Sequence, residues 1–173
     1  DGDPHRSVSV FSTYTWSPAF ETLTTFKEDG ELVGELAVSW SQLGPNEWIF
    51  NLRDEVRFSN GKPFTAESVE QTFEYLRTPH GQTASVNRDI AVIDRVEARD
   101  QHTLAVITKE PSAILPRLLT PVYIVEPGHW RDVGPERFGR EPVGSGPFEI
   151  KSWQEGRVTY QANSYSWRLP KIN

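Results

Sequence analysis

The stretch from Trp48 to Leu76 constrains the fold more than any other part of this chain, because its signals change period in a fixed order. Trp48, Phe50 and Leu52 alternate with Ile49, Asn51 and Arg53, the period of two that marks a strand with one apolar face. Val56 and Phe58 point one way while Arg57 and Ser59 point the other. Asn60-Gly61 follows, and both residues tolerate the positive φ of a tight turn. Pro63 has no N–H to donate and ends any ladder. Thr65 is then placed as a helix N-cap, with Glu67 in the first turn, where the helix dipole favours negative charge. Ala66, Val69, Phe73 and Leu76 recur at three- and four-residue spacing, which gives one apolar helix face. Thr78-Pro79 stops that helix. The prediction is strand, turn and capped helix, with no catalytic group among them.

At 173 residues the chain can bury a core, as one domain or two small subdomains. The net charge is −6 and the Lys and Arg residues form no stripe, which disfavours a nucleic-acid partner. No apolar run approaches the roughly twenty residues that a membrane-spanning helix needs. The opening D-G-D-P-H shows no signal peptide and reads as a mature or trimmed start. The absence of cysteine excludes a thiol nucleophile, a thiolate metal site and disulfides. Trp, Tyr and Phe make up 12% of the chain, enough either to fill a core or to line a ligand cleft.

In chain order, Ser7–Phe11 alternates as a first strand and Ser12–Pro18 is a loop. Ala19–Phe26 reads as a short helix with Phe20, Leu23 and Thr24 on one face. Asp29-Gly30 is a turn. Leu36–Trp40 enters a hairpin that turns over Ser41–Asn46 and returns from Glu47. A loop over Pro79–Asp89 leads to a strand over Ile90–Glu97, in which Val92, Asp94 and Val96 oppose Ile93, Arg95 and Glu97. Thr103–Thr108 returns beside it. Pro111–Leu119 carries Ile114, Leu115, Leu118 and Leu119 at helical spacing, Val122–Val125 reads as a short buried strand, and Gly128–Gly139 as loop with some helix. A last hairpin runs from Phe148–Trp153 to Arg157–Ala162 across Gln154-Glu155-Gly156. Before it, P-V-G-S-G-P-F-E-I places glycines at 144 and 146, expected to take backbone conformations closed to other residues. A phosphate loop is the alternative, but no Lys-Ser/Thr follows and the segment enters a strand.

Enzyme chemistry finds no support in the sequence. No serine sits in a nucleophile elbow. His5, His80, His102 and His129 are too scattered for local metal-ligand spacing and read as exposed loop residues. Asp54-Glu55 and Glu67-Glu70 read as solvated charge. No cofactor is expected. The loop Ser12–Ser17 is the best candidate site, because it follows the first strand, where ligands collect in α/β folds. Ser12, Thr13, Tyr14 and Trp16 combine small hydroxyls with aromatics that give apolar contact and a polar tip. Packing of both rings beneath the loop is the competing reading.

The motifs also carry a resemblance. Leu36-Ala37, Ser39-Trp40, Trp48, Phe50, Leu52-Arg53, Val56, Phe58, Gly61, Pro63-Phe64, Ala66, Val69 and Thr72-Phe73 match, at the same spacing, the signature of the bacterial extracellular solute-binding proteins of family 5. Members of that family deliver oligopeptides, dipeptides or nickel complexes to ABC importers. Pro142–Phe148 and the tail from Asn163 resemble two further landmarks, with Trp167 one position late. The resemblance covers about Phe20 to Asn173. It implies an α+β, mixed-sheet N-terminal lobe of a two-lobed periplasmic-binding-protein-like fold, residues 1–173 forming lobe I with the second lobe outside this chain. The implied function is capture of a peptide-like solute outside the cytoplasmic membrane, on its periplasmic or extracellular side, for delivery to ABC permease subunits. The resemblance allows a lipid anchor in a full-length form. Nickel-chelate binding within the same family and a ligand-sensing domain of a regulator are the alternatives. The wording R-D-E-V-R-F-S-N-G-K-P-F leans toward the nickel branch. That branch, however, anchors its chelate through an arginine where V-Y-I-V-E-P here places Tyr123, so Tyr123 joins the candidate ligand residues with a different chemistry.

Overall fold

A computed structural model describes residues 3–6, 14–154 and 157–168. The Trp48–Leu76 expectation is met closely. Strand β3 (Ala37–Gly44) pairs with β4 (Glu47–Leu52). Two later strands, β5 (Ile93–Ala98) and β6 (Thr103–Thr108), complete an antiparallel sheet in the order β3-β4-β6-β5. Helix α1 (Ala66–Arg77) buries Ala66, Val69, Phe73 and Leu76 and packs on β5. At its start Ser68 Oγ accepts the Thr65 backbone N–H at 3.2 Å. Phe50, Val56, Phe58, Phe64 and Leu104 fill the core between helix and sheet. Gly61 turns with φ 82° and Gly30 with φ 85°, as the Asn-Gly and Asp-Gly pairs require. The smaller pairs β1 (Thr24–Phe26) with β2 (Leu32–Gly34), and β7 (Phe148–Gln154) with β8 (Arg157–Ala162), are antiparallel as well. The class is α+β, and every strand pair among the described residues is antiparallel.

Several expectations fail for identifiable reasons. Ala19–Phe26 is no helix: Thr24–Phe26 is strand, and Thr24 Oγ1 donates to the Pro116 carbonyl at 2.6 Å while Thr22 Oγ1 donates to the Thr24 carbonyl at 2.7 Å. Such hydroxyl-to-backbone bonds compete with helix. The β3–β4 turn is shorter than Ser41–Asn46, because the ladder continues to Gly44 opposite Glu47. The strand at Ile90–Glu97 begins only at Ile93, and an irregularity between Ile93 and Arg95 shifts its phase, so Ile93 and Val96 are both buried. Helix α2 is only Leu115–Leu118. Pro116 lacks an N–H and is tolerated only in a first turn, which leaves Ile114 59% exposed while Leu115 and Leu119 are buried. Val122, Ile124 and Val125 are buried, but the segment forms no strand among the described residues. Ile124 N–H bonds the Glu21 carbonyl, and beyond the segment Glu126 N–H bonds that of Val143. Helix α3 (Pro127–Phe138) is broken by Gly134 at φ 73°. Gly144 and Gly146 do not have positive φ. They are needed for space: a Cβ on Gly146 would stand 2.6 Å from Pro18 O and Ala19 C. The strand expected at Ser7–Phe11 and the turn at Glu155-Gly156 lie outside the described residues.

Candidate functional site

The crossing of Gly144–Gly146 over Pro18–Ala19 fixes the candidate loop. Gly146 N–H bonds the Ala19 carbonyl and Phe148 N–H that of Pro18, both at 3.0 Å. Residues 14–16 form a helical turn whose Trp16 carbonyl accepts the N–H groups of Ala19 and Phe20 at 2.9 Å. On this turn Tyr14 is 75% exposed and Trp16 only 3%. Trp16 meets Phe20 edge-on at 5.9 Å, and Phe20 meets Tyr123 at 6.1 Å and Phe138 at 6.3 Å. The structure therefore brings Trp16 and Tyr123 into one aromatic cluster through Phe20, with Trp16 as buried floor and Tyr14 standing out in solvent. Ser12 and Thr13 lie outside the described residues. The Tyr123 phenol is half-buried and pushed up to about 12, by burial first and by the Glu35 carboxylate second.

A polar network supports this cluster, and sequence reasoning missed it. His5 is fully buried, against the expectation that the four histidines are exposed; the others are half-buried. Its Nε2 lies 2.7 Å from the Tyr123 carbonyl oxygen and its Nδ1 3.2 Å from Asp3 Oδ1, while its backbone N–H donates to the same Asp3 oxygen at 2.9 Å. Tyr75 Oη donates to Asp3 Oδ2 at 2.8 Å. Burial pushes the Asp3 carboxyl up, but hydrogen bonds and charge from His5, with the Tyr75 bond, outweigh it and hold the group below its ordinary value. D-P-H at the start of the chain gave no periodic signal that could have revealed this. A cleft of about 260 Å³ lies between α1 and α3, walled by Tyr75 and Trp130 with ring centroids 4.1 Å apart. Of the sequence-predicted site residues that are described, Tyr14, Trp16 and Tyr123, none lines it.

A second unforeseen cluster ties the tail to the loop. Glu21 is fully buried. Arg168 Nε lies 2.9 Å from Glu21 Oε1, and Arg168 Nη2 donates to Glu35 Oε1 at 3.0 Å. Trp167 Nε1 is 3.1 Å from both Glu21 oxygens, and the Arg53 guanidinium stacks 4.1 Å over the Trp167 ring. Burial, then the neighbouring Glu35 charge, push the Glu21 carboxyl up to about 7 against the pull of Arg168, Trp167 and Ser145. The Trp167 that departs from the family spacing thus has a partner. Among the described residues no group of His, Asp and Glu side chains is placed to hold a metal ion, and no helix is long and apolar enough to cross a membrane.

Comparison with known proteins gives this geometry a context. Residues 31–173 match the family described as bacterial extracellular solute-binding proteins, family 5 Middle. A probable D,D-dipeptide-binding periplasmic protein, DdpA of Escherichia coli K12, is 32% identical over 90% of this chain and 32% of its own length. The nickel-binding periplasmic protein of the same organism is 28% identical over 80% of this chain and 27% of its own. The relatives thus include both a dipeptide-binding and a nickel-binding protein. The solved structure of Burkholderia pseudomallei OppA superposes with a TM-score of 0.87 at 24% identity, covering 96% of this chain and 37% of that one, a likeness of fold. The chain spans about a third of the length of the curated relatives it matches.

Proposed function

The chain belongs to the bacterial extracellular solute-binding proteins of family 5, and from that membership we propose that it forms one wall of a solute site in a two-lobed receptor. That receptor captures a peptide-like solute outside the cytoplasmic membrane and hands it to an ABC permease, without turning it over. The observation that carries the reading is Tyr14, 75% exposed on a turn whose buried side is the Trp16–Phe20–Tyr123 cluster. A large exposed ring on a packed aromatic base supplies apolar contact at little entropic cost and a hydroxyl for a peptide main chain. The likeness to a D,D-dipeptide-binding relative supports the same solute class. Calorimetry of the intact protein with D-alanyl-D-alanine and with mixed L-dipeptides tests it. Tyr14→Ala is expected to weaken binding about tenfold, in line with loss of an aromatic contact. Unchanged affinity would remove Tyr14 from the site.

The similarity to a nickel-binding relative supports a second reading, capture of a nickel chelate. Tyr123 occupies the position that the resemblance gives to the chelate-anchoring arginine, and a half-buried phenol offers no positive charge to an anionic chelate. Nickel with histidine is therefore expected to bind weakly or not at all. Tight stoichiometric binding in calorimetry would establish this second reading over the peptide one.

A further inference from the structure

The turn that carries Tyr14 is held from a distant part of the chain. Tyr160, on β8, donates its phenolic O–H to the Thr15 carbonyl at 2.6 Å. Backbone bonds from Gly146 and Phe148 also reach the segment, at Ala19 and Pro18. They fix the segment after the turn, whereas the Tyr160 bond acts one residue from Tyr14. Tyr160 is half-buried, and burial pushes its phenol above the ordinary range, so the donor keeps its proton throughout neutral pH. A partly buried O–H···O bond of this length orients the carbonyl it meets and with it the peptide plane between Thr15 and Trp16.

We propose that Tyr160 is a positioning residue for solute capture: its hydrogen bond to the Thr15 carbonyl sets how the turn at residues 14–16 presents Tyr14. The inference rests on the reading of Tyr14 as solute-facing, while the clamp itself can be read without solute. Tyr160→Phe keeps the packing and removes one donor. Hydrogen exchange of the intact protein without solute then separates a local clamp from a global contribution. Ala19 and Phe20 amides, both bonded to the Trp16 carbonyl, report on the turn; the Leu52 amide, bonded to the His102 carbonyl, reports on the sheet. Loss of one net hydrogen bond is expected to speed Ala19 and Phe20 exchange about fivefold relative to Leu52. In the intact protein the same variant is expected to bind D-alanyl-D-alanine about fivefold more weakly than wild type. Equal acceleration at all three amides, or none, overturns the clamp. A loosened turn with unchanged affinity overturns the positioning role. A wild type that binds no dipeptide overturns the solute reading and the positioning role with it, and the exchange result still decides the clamp.

Discussion

Gly146→Ala is expected to destabilise the chain by about 4–6 kcal/mol, for reasons of space. The added Cβ would stand 2.6 Å from both the Pro18 carbonyl oxygen and the Ala19 carbonyl carbon. Both are backbone atoms, so no rotamer change relieves the clash. The two segments must separate, which strains the Gly146 N–H bond to Ala19 and the Phe148 N–H bond to Pro18, each 3.0 Å long. The Asn163 Nδ2 bond to the Gly146 carbonyl, at 2.9 Å, is strained as well. Each net hydrogen bond contributes about 1 kcal/mol, and overpacking a filled contact costs about 1–3 kcal/mol more. The control is Gly44→Ala, where a Cβ meets nothing within 4 Å and the change is expected to stay within about 0.5 kcal/mol. Urea denaturation of both variants beside wild type gives the comparison. A Gly146→Ala variant as stable as Gly44→Ala would refute the reasoning that close backbone approach, rather than a special φ, fixes this glycine.

Ser68→Ala is expected to cost about 1 kcal/mol through the lost bond to the Thr65 N–H at the start of α1, and an unchanged melting temperature would contradict it. Glu21 sets a pH dependence. Its carboxyl is pushed up from 4.5 to about 7 in the folded chain, so the native state holds a proton that the unfolded state has released. Its contribution to stability is fully present below about pH 4.5 and is lost as pH rises through 7, by on the order of 3 kcal/mol. Glu21→Gln is expected to flatten this slope in urea titrations between pH 5 and 8, and an unaltered slope would count against it. Glu126 behaves oppositely. Burial pushes its carboxyl up, but the His129 and Gly128 N–H groups, Asn60 and Lys62 hold it below its ordinary value. The stability it lends by capping α3 is therefore complete at neutral pH and lost as pH falls through the lowered value. Glu126→Ala is expected to cost about 2 kcal/mol at pH 7 and less in acid, as thermal melts at both pH values would show.

The sequence made the strand–turn–helix unit and both central hairpins legible because each is a local pattern: alternation, an Asn-Gly turn, a capped amphipathic helix. It misplaced Ala19–Phe26 because the competing bonds of Thr22 and Thr24 end on backbone that spacing alone does not bring near, the Pro116 carbonyl in particular. It misread Gly144 and Gly146 because a clash with Pro18–Ala19 is a property of two segments more than a hundred residues apart. For the candidate site, the sequence singles out Tyr14 and Trp16 but cannot say which ring faces inward; the fold exposes Tyr14 and buries Trp16. Asp3, His5, Glu21 and Arg168 carry no periodic signal at all. Their partners, Tyr123, Tyr75, Trp167 and Glu35, are set by the tertiary fold.

The central claim is that this chain supplies one wall of a two-walled solute site. A receptor that closes by hinge motion holds its ligand from both sides, and loss of about 4 kcal/mol of contact lowers affinity about a thousandfold. Parallel calorimetric titrations of the 173-residue chain and of the intact protein with D-alanyl-D-alanine, with sedimentation of both, measure this directly. The account predicts saturable binding by the intact protein and no binding tighter than roughly millimolar by the isolated chain. Micromolar binding by the isolated chain as a clean monomer would contradict it.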